Sequence, residues 1–163
     1  MPNGLLPTPA PAGTTTLTDP QAVVEAFLEA LAATDLERAM ALVADDLVYT
    51  NVGLPTIRGR RRVTKALAGL ERPGAGFEAY LHAISADGPV VLTERTDVLV
   101  FGGFRAQFWV WGRFDVHDGL ITLWRDSFDF VDVLRATGRG IAGLVVPSFR
   151  PRAPTGSDAA PGR

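Results

Sequence analysis

Apolar positions repeat at helical spacing through the first part of the chain. Thr18 and Gln21 form a capping box, after which apolar residues recur so that they share one face of a helix. Thr34 and Glu37 repeat the box and predict a second, shorter helix. The first apolar stripe comprises Val23, Val24, Phe27, Leu28 and Leu31, and the second comprises Leu36, Met40 and Val43.

Further along, apolar and polar positions alternate with a period of two. A strand at 47–52 and a third helix at about 60–71 precede this change. Four strands follow, joined by short links that contain glycine, which is typical of an antiparallel meander. The strands lie near 77–86, 90–101, 104–117 and 120–128, and a last helix at about 129–137 is predicted to end at Gly138.

Helices that precede a meander of strands are typical of the α+β class, with the helices packed on one face of a curved sheet. The two ends of the chain are rich in Pro, Gly, Ser and Thr, which predicts flexible tails at 1–16 and 147–163. Between them, residues 17–146 are predicted to form a single domain, because the pattern is continuous and shows no internal repeat.

Composition excludes several classes of function. The net charge of −2 and the isoelectric point near 5.6 argue against nucleic acid or an anionic membrane surface as a partner. The absence of cysteine excludes disulfide frameworks, thiolate nucleophiles and cysteine-type zinc sites. No apolar run is long enough to cross a bilayer, and the N-terminus lacks the layout of a signal peptide, so we predict a cytoplasmic protein.

The segment "FWVW", residues 108–111, is apolar on both faces of its predicted strand. Phe108 and Val110 point one way, and Trp109 and Trp111 point the other. If the helices cover one face, the two tryptophans would form an exposed apolar patch on the opposite face. A homodimer that covers this patch is the simplest solution, and a tail or the last helix folding over it is the alternative.

Polar residues interrupt the apolar pattern of three strands. Tyr49 and Asn51 share one face of the first strand, and Arg95 and Asp97 share one face of "TERTDVL". Asp126 lies on a face otherwise occupied by Leu, Trp and Phe, where an unpaired carboxylate would be costly to bury. An arginine can bind two carboxylates at once, so the pattern predicts an Asp97–Arg95–Asp126 cluster suited to acid and base chemistry.

Structural roles could also account for many of these residues. A buried Arg–Asp pair is often purely structural, and a single tyrosine is more often a packing residue than a catalytic one. His82 on a strand face and His117 in a turn are too far apart to suggest a metal site. The basic cluster "RGRRR" at 58–62 reads most simply as a solvated helix start, and Asp129 and Asp132 as favourable charges at the start of the last helix.

Three motifs together resemble the limonene-1,2-epoxide hydrolase family. They are "VYTNVGLPTIRGRRRV", "TERTDVL" and "LITLWRDSFD", in the same order and with similar spacing, and the similarity extends from about 19 to about 137. The resemblance implies an NTF2-like cone, a curved mixed sheet of about six strands with helices packed in its concave face, usually paired as a homodimer. It also implies a one-step hydrolysis of an epoxide to a vicinal diol that requires no cofactor and no metal.

The resemblance also assigns roles to the five polar residues. Asp126 corresponds to the base that takes a proton from water, and Tyr49 and Asn51 to the side chains that hold this water. Asp97 corresponds to the acid that protonates the epoxide oxygen, and Arg95 to the bridge between the carboxylates. Attack on the carbon opposite to the leaving oxygen would give a trans diol from a ring epoxide.

An apolar lining is implied for the substrate pocket, which suggests a cyclic, terpene-like or lipid-like epoxide. The tails, the link "ERPGAGF" and the segment "GIAGLVVPSF" depart from the family pattern. The pocket positions that the resemblance implies are Leu28, Leu31, Leu70, Leu99, Phe108, Val110 and Phe128.

Two other functions are compatible with a similar cone. An enzyme like ketosteroid isomerase or a polyketide cyclase would use one carboxylate base and separate oxyanion donors, which leaves Arg95 between two acids unexplained. A ligand-binding module without catalysis would keep its ligand affinity, and show no turnover, when Asp97 or Asp126 is replaced by asparagine.

Overall fold

One mixed sheet organises residues 18–154, the range described in a computed structural model of the chain. Four α-helices and six strands lie in this range, with two short 3₁₀ helices at Ala68–Glu71 and Pro147–Phe149. The helices are α1 (Pro20–Ala32), α2 (Leu36–Ala41), α3 (Arg60–Leu67) and α4 (Phe130–Val145). The strands are β1 (Val43–Asn51), β2 (Ile57–Arg58), β3 (Ala75–Asp87), β4 (Val90–Phe101), β5 (Phe104–His117) and β6 (Leu120–Ser127).

The strands are arranged in the order β2-β1-β6-β5-β4-β3. Strands β3 to β6 form the predicted antiparallel meander, and the parallel pairing of β1 with β6 makes the sheet mixed. This pairing places Asn51 directly opposite Asp126, although 75 positions separate them in sequence. The first and last strands thus bring their polar residues together.

Helix α1 buries its predicted stripe against the sheet. Its buried residues include all five members of the stripe, and Phe27 is fully buried. The Phe27 ring packs edge-on against Trp124 and Phe114, at centroid distances of 5.0 and 6.1 Å. Edge-on aromatic packing of this kind adds to the stabilisation from buried area. The core therefore lies between α1 and the centre of the sheet.

The first two helices begin one residue later than the capping boxes predict. Asp19 caps α1 by accepting from the Ala22 amide, and Asp35 caps α2 by accepting from the Arg38 amide. Thr18 and Thr34 do not serve as the caps, and Thr34 adopts the left-handed conformation with φ of 55°. Aspartate is as good an N-cap as threonine or better, so in an adjacent Thr-Asp pair either residue can cap the helix, and the surrounding fold determines which one does.

The last helix is much longer than predicted. Gly138 does not end it, and α4 continues to Val145. The helix packs beside β5, where Gly140 approaches so closely that a Cβ would lie 2.6 Å from the Arg105 carbonyl oxygen. Gly140 therefore serves close packing of the helix against β5.

The two tryptophans of "FWVW" differ in their surroundings. Trp109 is buried, stacks on His82 with ring centroids 5.1 Å apart, and donates its backbone N–H to Asp132 of α4. Trp111 is half exposed. Helix α4 thus folds over Trp109, as expected if the last helix covers the tryptophan patch. It leaves Trp111 exposed, together with several of its own apolar residues: Phe130, Val131, Leu134, Ile141, Leu144 and Val145.

Residues 1–16 and most of the predicted C-terminal tail lie outside the described range. Within the range, the 3₁₀ helix Pro147–Phe149 follows α4 directly, and the Arg150 Nε donates to the Gly143 carbonyl oxygen at 3.2 Å. Among the described helices, none has the length and apolar character needed to cross a membrane.

Candidate active site

An apolar cavity of about 380 Å³ lies between α1, α3 and one face of the sheet. Within residues 18–154, its polar lining consists of Tyr49, Asn51, Asp97 and Asp126. Six of the pocket positions that the resemblance implies contribute to the lining: Leu31, Leu70, Leu99, Phe108, Val110 and Phe128. The three polar interruptions of the strand pattern therefore meet inside one apolar cavity.

Leu28 is the exception among the expected pocket residues. It belongs to the buried core and does not line the cavity, because it lies one helical turn before Leu31 on α1. Several further residues line the cavity that the sequence did not predict: Leu67, Phe77, Phe101, Trp124 and Val133. The two-residue period of a strand places Phe101 on the same face as Leu99, and Trp124 on the same face as Asp126, so both could have been predicted. Val133 lines the cavity only because of where α4 packs, which the sequence pattern does not show.

Arg95 binds both carboxylates from behind the cavity. Its Nε and Nη2 donate to the two oxygens of Asp97 at 2.9 and 3.1 Å, and Nη2 also donates to Asp126 Oδ2 at 2.6 Å. The guanidinium is completely buried and is not part of the cavity wall. Burial by itself would lower the pKa of Arg95, but the adjacent Asp126 and Asp97 outweigh it and raise the pKa. The predicted Asp97–Arg95–Asp126 cluster is thus formed, with the arginine charged.

The far side of the guanidinium rests against Thr93 and Gly112. Arg95 Nη1 donates to Thr93 Oγ1 at 3.1 Å, and a Cβ on Gly112 would lie 2.3 Å from Nη1 and 2.5 Å from Thr93 Oγ1. The ring of Phe114 lies 6.0 Å from the guanidinium carbon, within range of a cation–π contact. Gly112 therefore leaves the space that the arginine occupies.

We expect Gly112→Ala to destabilise the protein by about 1–3 kcal/mol, since the added methyl overpacks the site. Urea unfolding monitored by circular dichroism measures this loss. Gly69→Ala is the matched control, because Gly69 also lines the cavity but a Cβ there meets no described atom within 4 Å. Equal stability of the two variants would contradict a guanidinium held tightly by Gly112.

Asp97 is the carboxyl whose protonation changes near neutral pH. Burial raises its pKa from an ordinary value of 3.8 to about 6; Arg95 opposes this rise and the Asp126 charge adds to it. Asp97 is 5% exposed, so desolvation of its charge is nearly complete. A carboxyl with this pKa can carry a proton in a range where ordinary aspartates cannot.

This pKa makes the stability of the fold depend on pH. Because the folded pKa is raised, Asp97 stabilises the native state below about pH 4, and this contribution is lost as the pH rises to about 6. A rise from 3.8 to about 6 corresponds to about 3 kcal/mol. We expect the free energy of unfolding of the wild type to fall by about this amount, relative to Asp97→Asn, between pH 4 and 7. Parallel curves for the two proteins in urea titrations would contradict the raised pKa.

Tyr49 and Asn51 stand beside Asp126 on the neighbouring strand. The Asn51 side-chain amide donates to the Tyr49 hydroxyl oxygen at 2.8 Å, and the Tyr49 ring packs against Trp124 with centroids 4.2 Å apart. Burial, with the Asp126 charge adding to it, raises the pKa of Tyr49 to about 12. The hydroxyl is therefore neutral at physiological pH and keeps its proton available for donation.

Asp126 retains a free acceptor. Its Oδ2 binds Arg95, whereas its Oδ1 is buried and has no hydrogen-bond partner among the described residues. A buried carboxylate oxygen without a partner is rare in folded proteins and usually marks a place for water or a ligand. Asp126, Tyr49 and Asn51 together therefore provide polar groups that can hold and deprotonate a small molecule such as water.

The remaining candidate residues take structural positions. His82 Nε2 lies 2.9 Å from Thr96 Oγ1, His117 is exposed at the end of β5, and Asp129 caps α4 by accepting from the Val131 amide. Within the described range, no group of three His, Cys, Asp or Glu side chains is placed to hold a metal ion.

Comparison with known proteins agrees with this geometry. Residues 18–139 match the family model of the limonene-1,2-epoxide hydrolase catalytic domain. The epoxide hydrolase EphG of Mycobacterium tuberculosis is 52% identical over 127 residues, which cover 78% of this chain and 85% of that protein. A solved structure of an M. tuberculosis epoxide hydrolase of this type has a TM-score of 0.78 at 49% identity, covering 82% of this chain and 95% of the other.

More distant structures share the fold. An NTF2-like protein of unknown function from Burkholderia pseudomallei has a TM-score of 0.63 at 16% identity, covering 72% of this chain and 96% of the other. These likenesses confirm the predicted α+β class and the NTF2-like cone. With a matching catalytic domain over most of its length and a relative of more than half identical sequence, the chain belongs to the limonene-1,2-epoxide hydrolase family of enzymes.

Proposed function

We propose that this protein adds water directly to a hydrophobic epoxide and releases a vicinal diol, without a covalent intermediate. The observation that carries this proposal is a pair of carboxylates held by one buried arginine at the wall of an apolar cavity, with one carboxylate oxygen free. An epoxide needs both a proton for its oxygen and a deprotonated nucleophile, and the pair can supply both at once.

Asp126 is the proposed base. Its free Oδ1 accepts a proton from a water molecule that the Tyr49 hydroxyl and the Asn51 side chain orient. Asn51 and Asp126 are opposite one another across the parallel β1–β6 pair, so the water can contact both strands at once. The rigid pairing fixes the water before the substrate arrives, which lowers the entropic cost of the reaction.

Asp97 is the proposed acid. With a pKa of about 6 it is protonated in about half of the molecules at pH 6 and in about one in ten at pH 7, and it gives this proton to the epoxide oxygen as the C–O bond breaks. The water oxygen meanwhile forms a bond to the opposite carbon and loses its own proton to Asp126. Each turnover leaves Asp97 ionised and Asp126 protonated, so one proton must return to Asp97 before the next cycle.

The cavity defines the proposed substrate class. Apart from the four polar side chains at the catalytic wall, the described lining is hydrocarbon and aromatic, with Phe77, Phe108 and Phe128 from three different segments. A substrate with a second charged or strongly polar group would have to bury it without a partner. We therefore propose a cyclic, terpene-like or lipid-like epoxide, with a trans diol as the product from a ring.

We also propose a homodimer and a cytoplasmic location. The exposed apolar residues along α4, together with the half-exposed Trp111, support an interface between two copies. Light scattering coupled to gel filtration tests the dimer, and a monomer at micromolar concentration would contradict it. The location rests on the composition of the chain.

Isotope labelling tests the reaction itself. We would incubate excess enzyme with limonene 1,2-epoxide, cyclohexene oxide and the methyl ester of a fatty-acid epoxide in ¹⁸O-labelled water, and analyse the diol after a single turnover by mass spectrometry. Direct addition places ¹⁸O in the diol at once. An unlabelled diol with ¹⁸O in an aspartate side chain would show a covalent ester and would overturn the mechanism.

The two other functions make different predictions. An isomerase or cyclase with a single carboxylate base would leave the second acid and its arginine without a chemical role. A binding module would produce no diol with any member of the panel, and Asp97→Asn would leave its ligand affinity unchanged.

A further inference from the structure

Another cavity, of about 300 Å³, lies on the opposite face of the sheet from the proposed active site. Thr96 of β4 and Gln107 of β5 form its floor. They are adjacent in sequence to Asp97 and Phe108 of the active-site cavity, and adjacent residues of a strand point to opposite faces of the sheet. Arg139 of α4 forms one wall. Arg150 and Arg152, from the segment after α4, close the cavity, which we call the arginine cavity.

The arginines of this cavity are not neutralised within the described part of the chain. Arg139 Nε donates to the Phe149 carbonyl oxygen, and Arg150 Nε donates to the Gly143 carbonyl oxygen, both at 3.2 Å. These neutral partners hold the side chains in place, and because Arg139, Arg150 and Arg152 are exposed, water rather than a carboxylate surrounds their charges. Among the described residues, no Asp or Glu lines the cavity, and none of the ion pairs includes Arg139, Arg150 or Arg152.

The floor of the arginine cavity carries a polar atom that is not satisfied. Gln107 Oε1 is buried and has no partner among residues 18–154, while Thr96 Oγ1 is shared with His82. A buried, unpaired acceptor beside several arginines indicates a site that a polar molecule completes. The side-chain amide can also be turned, so that Gln107 offers either a donor or an acceptor.

We propose that the arginine cavity binds a small molecule with an oxyanion group, a phosphate or a carboxylate. Two or more planar guanidinium groups around a confined space provide the paired N–H donors that match the oxygens of such a group. The cavity exceeds the size of a phosphate ion, so a small polar body attached to the anion is accommodated and can hydrogen-bond to Gln107. The site is separate from the catalytic carboxylates and does not depend on the proposed reaction.

The family match covers only part of the arginine cavity. The family match ends at residue 139, so Arg139 is its last residue and Arg150 and Arg152 lie beyond it. An oxyanion bound here would tie the segment after α4 to the sheet. Because a ligand that binds only the folded state stabilises it, the anion should also raise the melting temperature.

Isothermal titration calorimetry of the full chain tests the proposal. Inorganic phosphate, glycerol 3-phosphate and succinate are titrated separately at constant ionic strength in chloride buffer, so that phosphate and carboxylate ligands are distinguished. We expect saturable binding of at least one of the three at one site per chain, and a higher melting temperature in its presence. Absence of saturable binding by all three would overturn the proposal.

Variants locate the bound anion. Gln107→Glu places a carboxylate of nearly equal size among the arginines and should abolish binding, and Arg152→Gln should weaken it roughly tenfold. Arg62→Gln removes the same charge from the exposed start of α3 and should leave the affinity unchanged. Epoxide hydrolysis is expected to persist in Arg152→Gln. Loss of binding in Arg62→Gln, or full affinity in Gln107→Glu, would show that the anion binds elsewhere and would refute the arginine cavity as the site.

Discussion

Asp126→Asn should abolish diol formation. The asparagine side chain has almost the same shape, but its amide cannot take the proton from water, and the loss of a positioned base lowers kcat by about 10²–10⁴-fold. The initial rate of diol formation, measured by gas chromatography across pH 5–8, checks this. Asp97→Asn should be similarly inactive, whereas Tyr49→Phe and Asn51→Ala should reduce the rate less, because each leaves the other group to hold the water.

A matched control is available on the same sheet. Arg113 and Asp115 of β5 form a similar ion pair, with Nε and Nη2 donating to the two carboxylate oxygens at 2.9 and 3.3 Å, but they lie near the surface. Asp115→Asn should therefore keep its activity within about twofold, as expected for a surface substitution. An active Asp126→Asn variant with a normal circular dichroism spectrum would refute the assignment of the base.

Arg95→Met should cause the largest loss of stability. The substitution keeps much of the apolar volume but leaves Asp97 and Asp126 buried and close together without their cation. Removing one partner from a buried ion pair costs about 3–5 kcal/mol. Urea unfolding at pH 7 measures the loss, and the variant should recover part of its stability at pH 5, where protonation of Asp97 relieves the repulsion.

Two further variants separate the charge effect from packing. Arg113→Met should leave the free energy of unfolding almost unchanged, because its ion pair with Asp115 is exposed to solvent, which screens the attraction. Combining Arg95→Met with Asp97→Asn and Asp126→Asn should restore much of the stability without restoring activity, since no buried charge remains. If Arg95→Met were as stable as the wild type at pH 7, the arginine would not be neutralising the two carboxylates.

Much of the site was predictable because strands have a strict period of two. Arg95 and Asp97 are two positions apart, so they had to share a face, and an aspartate in the apolar pattern of "LITLWRDSFD" needed a cation nearby. What the pattern could not show is that β1 pairs with β6 in parallel, which brings Asn51 opposite Asp126. That pairing depends on how the whole chain folds, and the family resemblance implied a mixed sheet without saying which strands pair in parallel.

Helix details were harder to predict because several local choices have similar energies. Thr18 and Asp19 are both good caps, and glycine is common at a helix end, yet α4 continues past Gly138 to Gly140, which packs against β5. Leu28 and Leu31 lie on one apolar stripe, yet Leu31 lines the cavity and Leu28 belongs to the core alone. The ends of the helices and the residues that line the cavity are therefore determined by tertiary packing, which a local sequence pattern does not show.

The placement of α4 also affects the solubility of the protein. Strand β6 ends at Ser127, opposite Trp111, so within residues 18–154 the backbone of β5 from Phe104 to Val110 has no strand beside it on that side. Helix α4 covers this open edge: Asp132 accepts from the Trp109 amide, and Gly140 lies against the Arg105 carbonyl oxygen. An uncovered strand edge is a template for pairing with other chains. A protein truncated before Phe130 would therefore be expected to aggregate through β5, which makes α4 a safeguard against intermolecular sheet formation.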